Sequence, residues 1–551
     1  MSVGSAAAQR FSYRRPDAVG RAAAEEAAVA IVGAGPVGLT AALDLARRGV
    51  RSVVLDEDDT VSDGSRAICW AKRTLEIYGR LGLGAEFLAH GVTWNTGRVY
   101  RRDREAYSFD LLPEQGHEYP AFVNLPQHRL ESWLVAACEA TGLVDLRWRN
   151  RAALAENAPD GALLDVDTPD GAYRLRAAWL LACDGARSGM RRGLGLAFTG
   201  QAFRDRFLIV DVAMRPPFPA ERRFWFDPPF HPGQTVLLHK QGEASWRVDF
   251  QLGPDSDPER EREPARAAGR VRAMLGPDIP FALEWVSVYT FRCRRLDRFR
   301  HGRVLFVGDA AHQVSPFGAR GGNSGVQDAD NLGWKLAAVL DRRAPEALLD
   351  SYGAEREPAA DENIRHSAGS TDFITPKDGA ALAYRDAVLE LAERHALARP
   401  LVNSGRLSQP SVLRGSPLST PPEPDAAALL PPGSPPVDAP VLRAGRPDWL
   451  LRRLNAKGRP TLLAFADTGL RAPAAPPGAA LVVVAQQEPP AGHLPDVLFD
   501  HSGLAAGRWG AAPGDAFLLR PDGHVAAAWR APGAAEVRAA QLRALGGGCA
   551  S

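Results

Sequence analysis

An unbroken apolar run at residues 28–32 is followed by glycines at 33, 35 and 38 and then by a largely apolar stretch, 39–48. The run reads as a buried strand and the stretch as a helix, joined by a tight turn. A second apolar run, 51–56, ends at Asp56, and strand–helix alternation with Gly and Asp turns continues to about residue 182. That alternation predicts an α/β layer with a Rossmann-like sheet. From 207 to 252 the pattern changes to alternating, aromatic-rich runs at 223–226, 234–239 and 246–252, separated by Pro/Gly turns. These predict an antiparallel β-sheet domain inserted over 201–289. An apolar strand returns at 303–308, and helical segments follow to about residue 398.

Ten prolines lie between Pro410 and Pro440, too many for a packed helix or central strand. They predict an extended linker, after which runs at 461–466, 481–485, 516–520 and 525–529 read as strands of a new domain. The predicted organisation is an arm (1–26), a main α/β unit (27–200 and 290–400), the inserted sheet (201–289), the linker (410–440) and a C-terminal domain (441–551). That last domain has no pair of cysteines at a turn, which excludes dithiol exchange. Trp509 and Trp529 read as exposed, so the domain is expected to dock on its own chain or on a second subunit, giving a homodimer.

Composition narrows the partners. With 66 basic and 65 acidic residues the net charge is +1, no field to attract nucleic acid or anionic lipid. Five cysteines show no metal spacing, so no metal is expected. Residues 27–46 carry only Asp44 as a charge, but three glycines and Pro36 argue against a membrane helix. No apolar core of signal-peptide length precedes them, and a cytoplasmic location is expected.

The glycine turn carries the chemistry. Gly33 permits the turn, Gly35 lets the backbone approach a pyrophosphate, Gly38 lets helix pack on sheet, and Asp56 stands where a carboxylate accepts ribose hydroxyls. Two further segments share the pattern of a strand ending at an acid. One leads to Asp184 and Gly185, with Arg187 just beyond. The other passes Gly308 and Asp309 to a glycine-rich turn at Gly321, Gly322 and Asn323, whose backbone N–H groups suit a phosphate or an electron-rich ring edge.

This ordered set, GxGxxG, Asp-Gly and Gly-Asp, resembles the p-hydroxybenzoate hydroxylase superfamily of flavin monooxygenases over residues 27 to about 400. The segments 64–70 and 322–328 and the C-terminal domain are similar to its 3-(3-hydroxyphenyl)propionate hydroxylase and phenol hydroxylase branch. The resemblance implies non-covalent FAD, a thioredoxin-like C-terminal domain without redox cysteines, and NADH or NADPH as co-substrate, bound transiently because no second GxGxxG is present. It implies that a flavin hydroperoxide formed with O2 hydroxylates a small phenolic substrate. By motif position, Gly33, Ala34, Gly35, Pro36, Val37 and Gly38 face the pyrophosphate and Asp56 the adenosine ribose. Arg66 contacts the phosphates or gates the flavin, Gln127 reaches the ribityl chain and Asp309 binds it. Pro316 and the turn Gly321, Gly322, Asn323 border the isoalloxazine, while Asp184 and Arg187 assist the dinucleotide or the nicotinamide donor.

The substrate is expected between flavin and inserted sheet, lined by Phe224, Phe226, His239, Arg247 and Asp249. Pro316, His239 and Arg247 are the catalytic candidates, with Arg247 fixing a carboxylate and His239 a phenol. His312 lies inside the flavin turn and reads as structural rather than as a base. Two other readings stay open: an FAD-dependent dehydrogenase or reductase without oxygen insertion, and a flavoprotein used as an interaction module.

Overall fold

The computed structural model describes residues 9–62, 67–402, 408–454, 458–467, 473–488 and 497–547. Its first layer is a sheet in the order Arg300–His301, Val304–Phe306, Gly171–Ala182, Glu25–Val32, Ser52–Leu55, Val144–Arg147. All the central pairs are parallel, so the strand ends that carry the acidic motifs lie along one edge. Pro36 at the first turn, where a missing N–H costs nothing, starts the helix Pro36–Arg47. This helix packs between Gln127–Thr141 and the long helix Gly321–Leu340. The arm is held to this layer by Phe11, stacked 4.4 Å from Trp148.

The second sheet runs His312–Gln313, Phe281–Arg295, Thr199–Met214, Ser245–Leu252, Thr235–Lys240, Arg222–Phe226, Thr96–Arg101, Arg104–Asp110. It is therefore not confined to 201–289: the hairpin of residues 96–110 forms one edge, and Thr96–Arg101 pairs with Arg222–Phe226 in parallel rather than antiparallel. Arginines and glutamate on this hairpin dilute the apolar alternation that marks a strand. One face of the sheet is apolar, where Val210, Leu238, Val248 and Phe250 pack with Ala267 and Val271 of the helix Pro264–Leu275.

The C-terminal unit is a third sheet, ordered Arg446–Trp449, Pro440–Arg443, Val497–Phe499, Ala480–Ala485, Thr461–Ala466, Asp515–Leu519, Val525–Arg530. The helices Leu504–Trp509 and Ala534–Ala544 pack in its two apolar clusters. Contrary to expectation, Trp509 is 0 % and Trp529 6 % exposed. Trp509 donates from Nε1 to the Val437 carbonyl at 2.9 Å and meets Phe517 edge-on, a partner that sequence position does not reveal. The proline-rich segment is extended but not a free tether. Leu413, Leu418 and Leu429 are buried, and its backbone bonds to residues of the C-terminal hairpin at Thr420 and Gly433.

The C-terminal unit docks on its own chain through a buried ionic network. Arg520 pairs with Glu355 of the helix Asp350–Ile374 and with Asp522. Lys335 reaches the same Glu355 at 2.7 Å, Ser416 Oγ donates to it, and Asp522 accepts from Trp334 Nε1 at 3.0 Å. Burial favours a protonated Glu355, but Arg520 and Lys335 outweigh it and hold the carboxyl well below its usual range. Among the described residues no helix is long and apolar enough to cross a membrane.

Removing one partner from such a network leaves buried charge uncompensated, and Glu355→Ala is expected to destabilise the protein by about 3–5 kcal/mol, read from chemical denaturation. Because the folded pKa of Glu355 lies below the unfolded one, its contribution is complete above a pH of about 4.3 and is lost as pH falls. A Glu355→Gln variant should accordingly lose stability less steeply in acid than the parent protein.

Candidate functional site

Three strand ends converge on the start of the helix Pro36–Arg47. Gly33 has φ +105°, and a Cβ added there or at Gly38 would collide with the Cys183 or the Gly33 carbonyl. A Cβ on Gly35 would meet no described atom within 4 Å, so a ligand can approach this backbone closely. The helix N-terminus adds a partial positive charge at that point. Asp56 accepts from the N–H of Ala34 at 2.6 Å and of Asp58 at 2.9 Å. Burial pushes its carboxyl up, and these two donors pull it back.

The strand Gly171–Ala182 leads to Asp184, whose Oδ2 accepts from the Met190 N–H at 3.0 Å. Its Oδ1 is buried with no partner among the described residues. Arg187 is exposed. The strand Val304–Phe306 leads to Asp309, exposed between buried Gly308 and Ala310. Close approaches bring the motifs together. A Cβ on Gly308 would lie 3.1 Å from the Val37 side chain, one on Gly38 3.2 Å from Cys183, and one on Gly322 3.6 Å from Ala67.

Ala67 begins the described chain after Arg66, which lies outside the described residues. Its N–H donates to Gln127 Oε1 at 3.1 Å, while Gln127 Nε2 donates to Glu131 at 2.8 Å. Gln127 thus braces the chain at Ala67, a task its sequence position did not suggest. Asn323 is buried and clamps the strand Cys69–Ala71, accepting from the Ala71 N–H and donating to the Cys69 carbonyl, both at 2.9 Å. Pro316 is exposed on the loop before the helix, and Gly321 and Gly322 are half-buried at its start.

Asp328 holds this turn in place and was missed as a determinant. It is fully buried, accepting from the Gly308 N–H at 3.1 Å, His312 Nε2 at 2.6 Å and Arg356 Nε at 2.7 Å. Burial alone would raise its carboxyl, but His312 and Arg356 bring it below the usual range. His312 stacks on Phe299 and serves this bond, as its place in the turn indicated. Arg191 adds a bond from Nη1 to the Ala310 carbonyl at 2.9 Å. The sequence carried no clear signal for Asp328, because its helix mixes polar residues such as Gln327, Asp328, Asp330 and Asn331 with apolar ones and its burial is set by the surrounding elements.

Beside the strand Cys69–Ala71 lies the second face of the second sheet, whose Arg222, Arg247 and Asp249 act electrostatically on the Cys69 thiol; it is polar here and apolar farther along, at Phe207, Phe226 and Leu237. Cross-strand register places His239 beside Arg247, Arg247 beside Asp211, and Asp211 beside Trp285. Arg247, the expected carboxylate anchor, is instead bound to Asp211 through two bonds, Nε–Oδ1 at 2.7 Å and Nη2–Oδ2 at 2.9 Å. Both ring nitrogens of His239 and Oδ1 of Asp249 are buried with no partner among the described residues. Burial, reinforced by Arg222 and Arg247, holds His239 well below its usual pKa. Burial lifts Asp249 to about 6. Phe224 is half-buried on this face, and Phe226 is buried against Phe373.

A family model described as "FAD binding domain" matches residues 26–367. The chain is 32% identical over 362 residues to a 3-(3-hydroxy-phenyl)propionate/3-hydroxycinnamic acid hydroxylase of Mycolicibacterium smegmatis, the match covering 66% of this chain and 64% of that protein. The chain thus spans less than two thirds of that relative's length. It is 34% identical over 379 residues to a 12-dehydrotetracycline 5-monooxygenase/anhydrotetracycline 6-monooxygenase of Streptomyces rimosus subsp. rimosus, covering 66% of this chain and 73% of that protein. The fold resembles that of the flavin-dependent monooxygenase PieE, solved with FAD and substrate, with a TM-score of 0.79 at 23% identity over 95% of this chain and 99% of that one. Matched over more than half its length at the residues that build the three-motif cleft, the chain belongs to the FAD binding domain family.

Proposed function

We propose that this protein is an FAD-dependent monooxygenase that uses NADH or NADPH and O2 to hydroxylate a small phenolic substrate. The observation that carries this reading is the juxtaposition, at the strand Cys69–Ala71, of the helix that starts at the glycine turn, through Asn323, and a buried polar patch of the second sheet, through Arg222, Arg247 and Asp249. The residues present fit FAD: a backbone approach at Gly35, a helix N-terminus beside it, an unpartnered Asp184 Oδ1 and an exposed Asp309 among buried neighbours. When bound, FAD supplies the redox chemistry and the reaction with O2.

The protein's own groups do the rest. The turn from Gly33 to Gly38 takes the pyrophosphate and Asp56 the ribose, each carboxylate oxygen keeping a lone pair beyond its backbone bond. Asp309 accepts a ribityl hydroxyl, and Pro316, Gly321 and Gly322 border the ring. Asn323 acts from behind, through the strand it clamps. His239, kept neutral, can accept a hydrogen bond from a phenol and hold its proton. Enclosure by the second sheet excludes water from the reacting edge.

The C-terminal unit belongs to the proposal as a thioredoxin-like domain, on the strength of its mixed sheet with a helix on each face. The expected homodimer loses the exposed tryptophans that argued for it, since Trp509 and Trp529 are buried within the unit.

Asp309→Ala should weaken FAD binding roughly ten- to a hundredfold, as expected for loss of a hydrogen bond to a charged group. Unchanged affinity in titrations of the apoprotein would count against this placement. Substituted phenols should stimulate NAD(P)H oxidation and yield hydroxylated products. Oxidation that never produces a hydroxylated ring would favour a dehydrogenase or reductase instead.

A further inference from the structure

The arm that precedes the first strand is built into the fold at both ends. At its far end Ala18 and Val19 are buried in the main apolar cluster, and Tyr13 Oη donates to Thr168 Oγ1 at 3.1 Å. Its near end crosses the loop that follows Asp56. There the Phe11 N–H donates to the Asp59 carbonyl at 2.7 Å, Arg10 forms an antiparallel bridge with Thr60, and Arg10 Nη1 meets Asp59 Oδ1 at 2.9 Å. The Phe11 ring lies 8° from parallel with that of buried Trp148. The Arg10–Asp59 pair is exposed and adds little. The ring stack and the main-chain bond carry the seat.

The loop needs such a seat. Residues 56–59 are four consecutive acids, and neighbouring carboxylates repel one another. Burial, reinforced by Asp58 and Glu57, pushes the Asp56 carboxyl up. The segment lies outside the named helices and strands, so anchors from elsewhere fix it. On its inner side the Asn150 N–H donates to the Asp56 carbonyl at 2.7 Å and the Arg149 N–H to the Asp58 carbonyl at 3.0 Å. Downstream, Ser62 donates from its N–H and its Oγ to Glu131 at 2.7 and 2.6 Å, the same glutamate that Gln127 bonds. The arm is the third anchor. Because Trp148 adjoins Arg149 and Asn150, the Phe11 ring also bears on the inner one.

We propose that the N-terminal arm, through the Phe11 ring and the Phe11 N–H bond to Asp59, holds the Asp56 loop in the conformation that receives the adenosine end of FAD, so that seating of the arm and binding of the cofactor are coupled. Phe11 is a positioning residue: it acts on the ribose acceptor through the loop and through Trp148. With the arm unseated, the run of acids is free to spread and Asp56 loses its place beside the Ala34 N–H. Coupling between two sites is reciprocal, so bound FAD tightens the arm by the factor by which the arm tightens FAD. This inference rests on the reading of Asp56 as the acceptor for the adenosine ribose.

The test combines fluorescence titration of FAD into the apoprotein with amide hydrogen exchange across residues 10–15. Phe11→Ala should bind FAD roughly three- to tenfold more weakly, the loss expected for one stacked aromatic pair, whereas Phe11→Tyr keeps the ring and should bind as the parent protein does. In the parent protein, saturating FAD should slow exchange across residues 10–15 by a similar factor, roughly three- to tenfold. An arm that only stabilises the fold would exchange at the same rate with and without FAD. Unchanged FAD affinity in Phe11→Ala, a loss in Phe11→Tyr as large as in Phe11→Ala, or exchange that FAD does not slow would overturn the proposal. If Phe11→Ala does not fold, the parent's exchange with and without FAD decides the matter. A parent protein that binds no FAD would remove the cofactor reading of the cradle; FAD binding that neither responds to Phe11 nor protects the arm would remove the coupling alone.

Discussion

The charged groups inside the helix Gly321–Leu340 are the constraint on which the rest of the structure depends. A helix buried on all sides should be apolar, yet this one carries Asp328, Asp330 and Lys335 into the interior. Each is neutralised by a different neighbour. Asp328 binds His312, Arg356 and the Gly308 N–H. Asp330 binds Arg73 and Arg80, and Lys335 meets Glu355. Buried ion pairs add little net stability compared with apolar packing, but a mispaired one is severely costly, so they fix which surfaces meet. One helix thereby sets the position of the Asp309 turn, of the helix Asp350–Ile374 and of the C-terminal hairpin.

Seen this way, the C-terminal unit is continuous with the cofactor unit. Its hairpin inserts Arg520 and Asp522 beside Glu355 and Trp334, and Arg73 Nη2 and Arg80 Nη1 donate to the carbonyls of Asp522 and Pro521. The proline-rich segment lies buried along the way, with Ser416 on the same glutamate. The helix that carries this docking begins at the Gly321–Asn323 turn.

Much of this was legible in the chain. Glycine spacing and strand-terminal acids reported the cradle because their chemistry is local: a tight turn, a close backbone approach, an acid at a strand end. The C-terminal strands were legible for the same reason. What escaped was set by distant partners. Arg247 reads as a free anchor until Asp211, on the neighbouring strand, is found opposite it. Trp509 and Trp529 looked exposed because nothing in their own segments shows what covers them. The hairpin of residues 96–110 was missed because its charged residues obscure the alternation.

The central claim is that a buried carboxylate on this helix shapes the cofactor turn. The most direct measurement is the FAD affinity of an apoprotein carrying Asp328→Asn, with hydrogen exchange at the C-terminal hairpin as a monitor of docking. The account predicts that FAD binds at least about tenfold more weakly, because the charge holding His312, Arg356 and the Gly308 N–H is gone, while the hairpin stays protected. FAD affinity equal to that of the parent protein would contradict it.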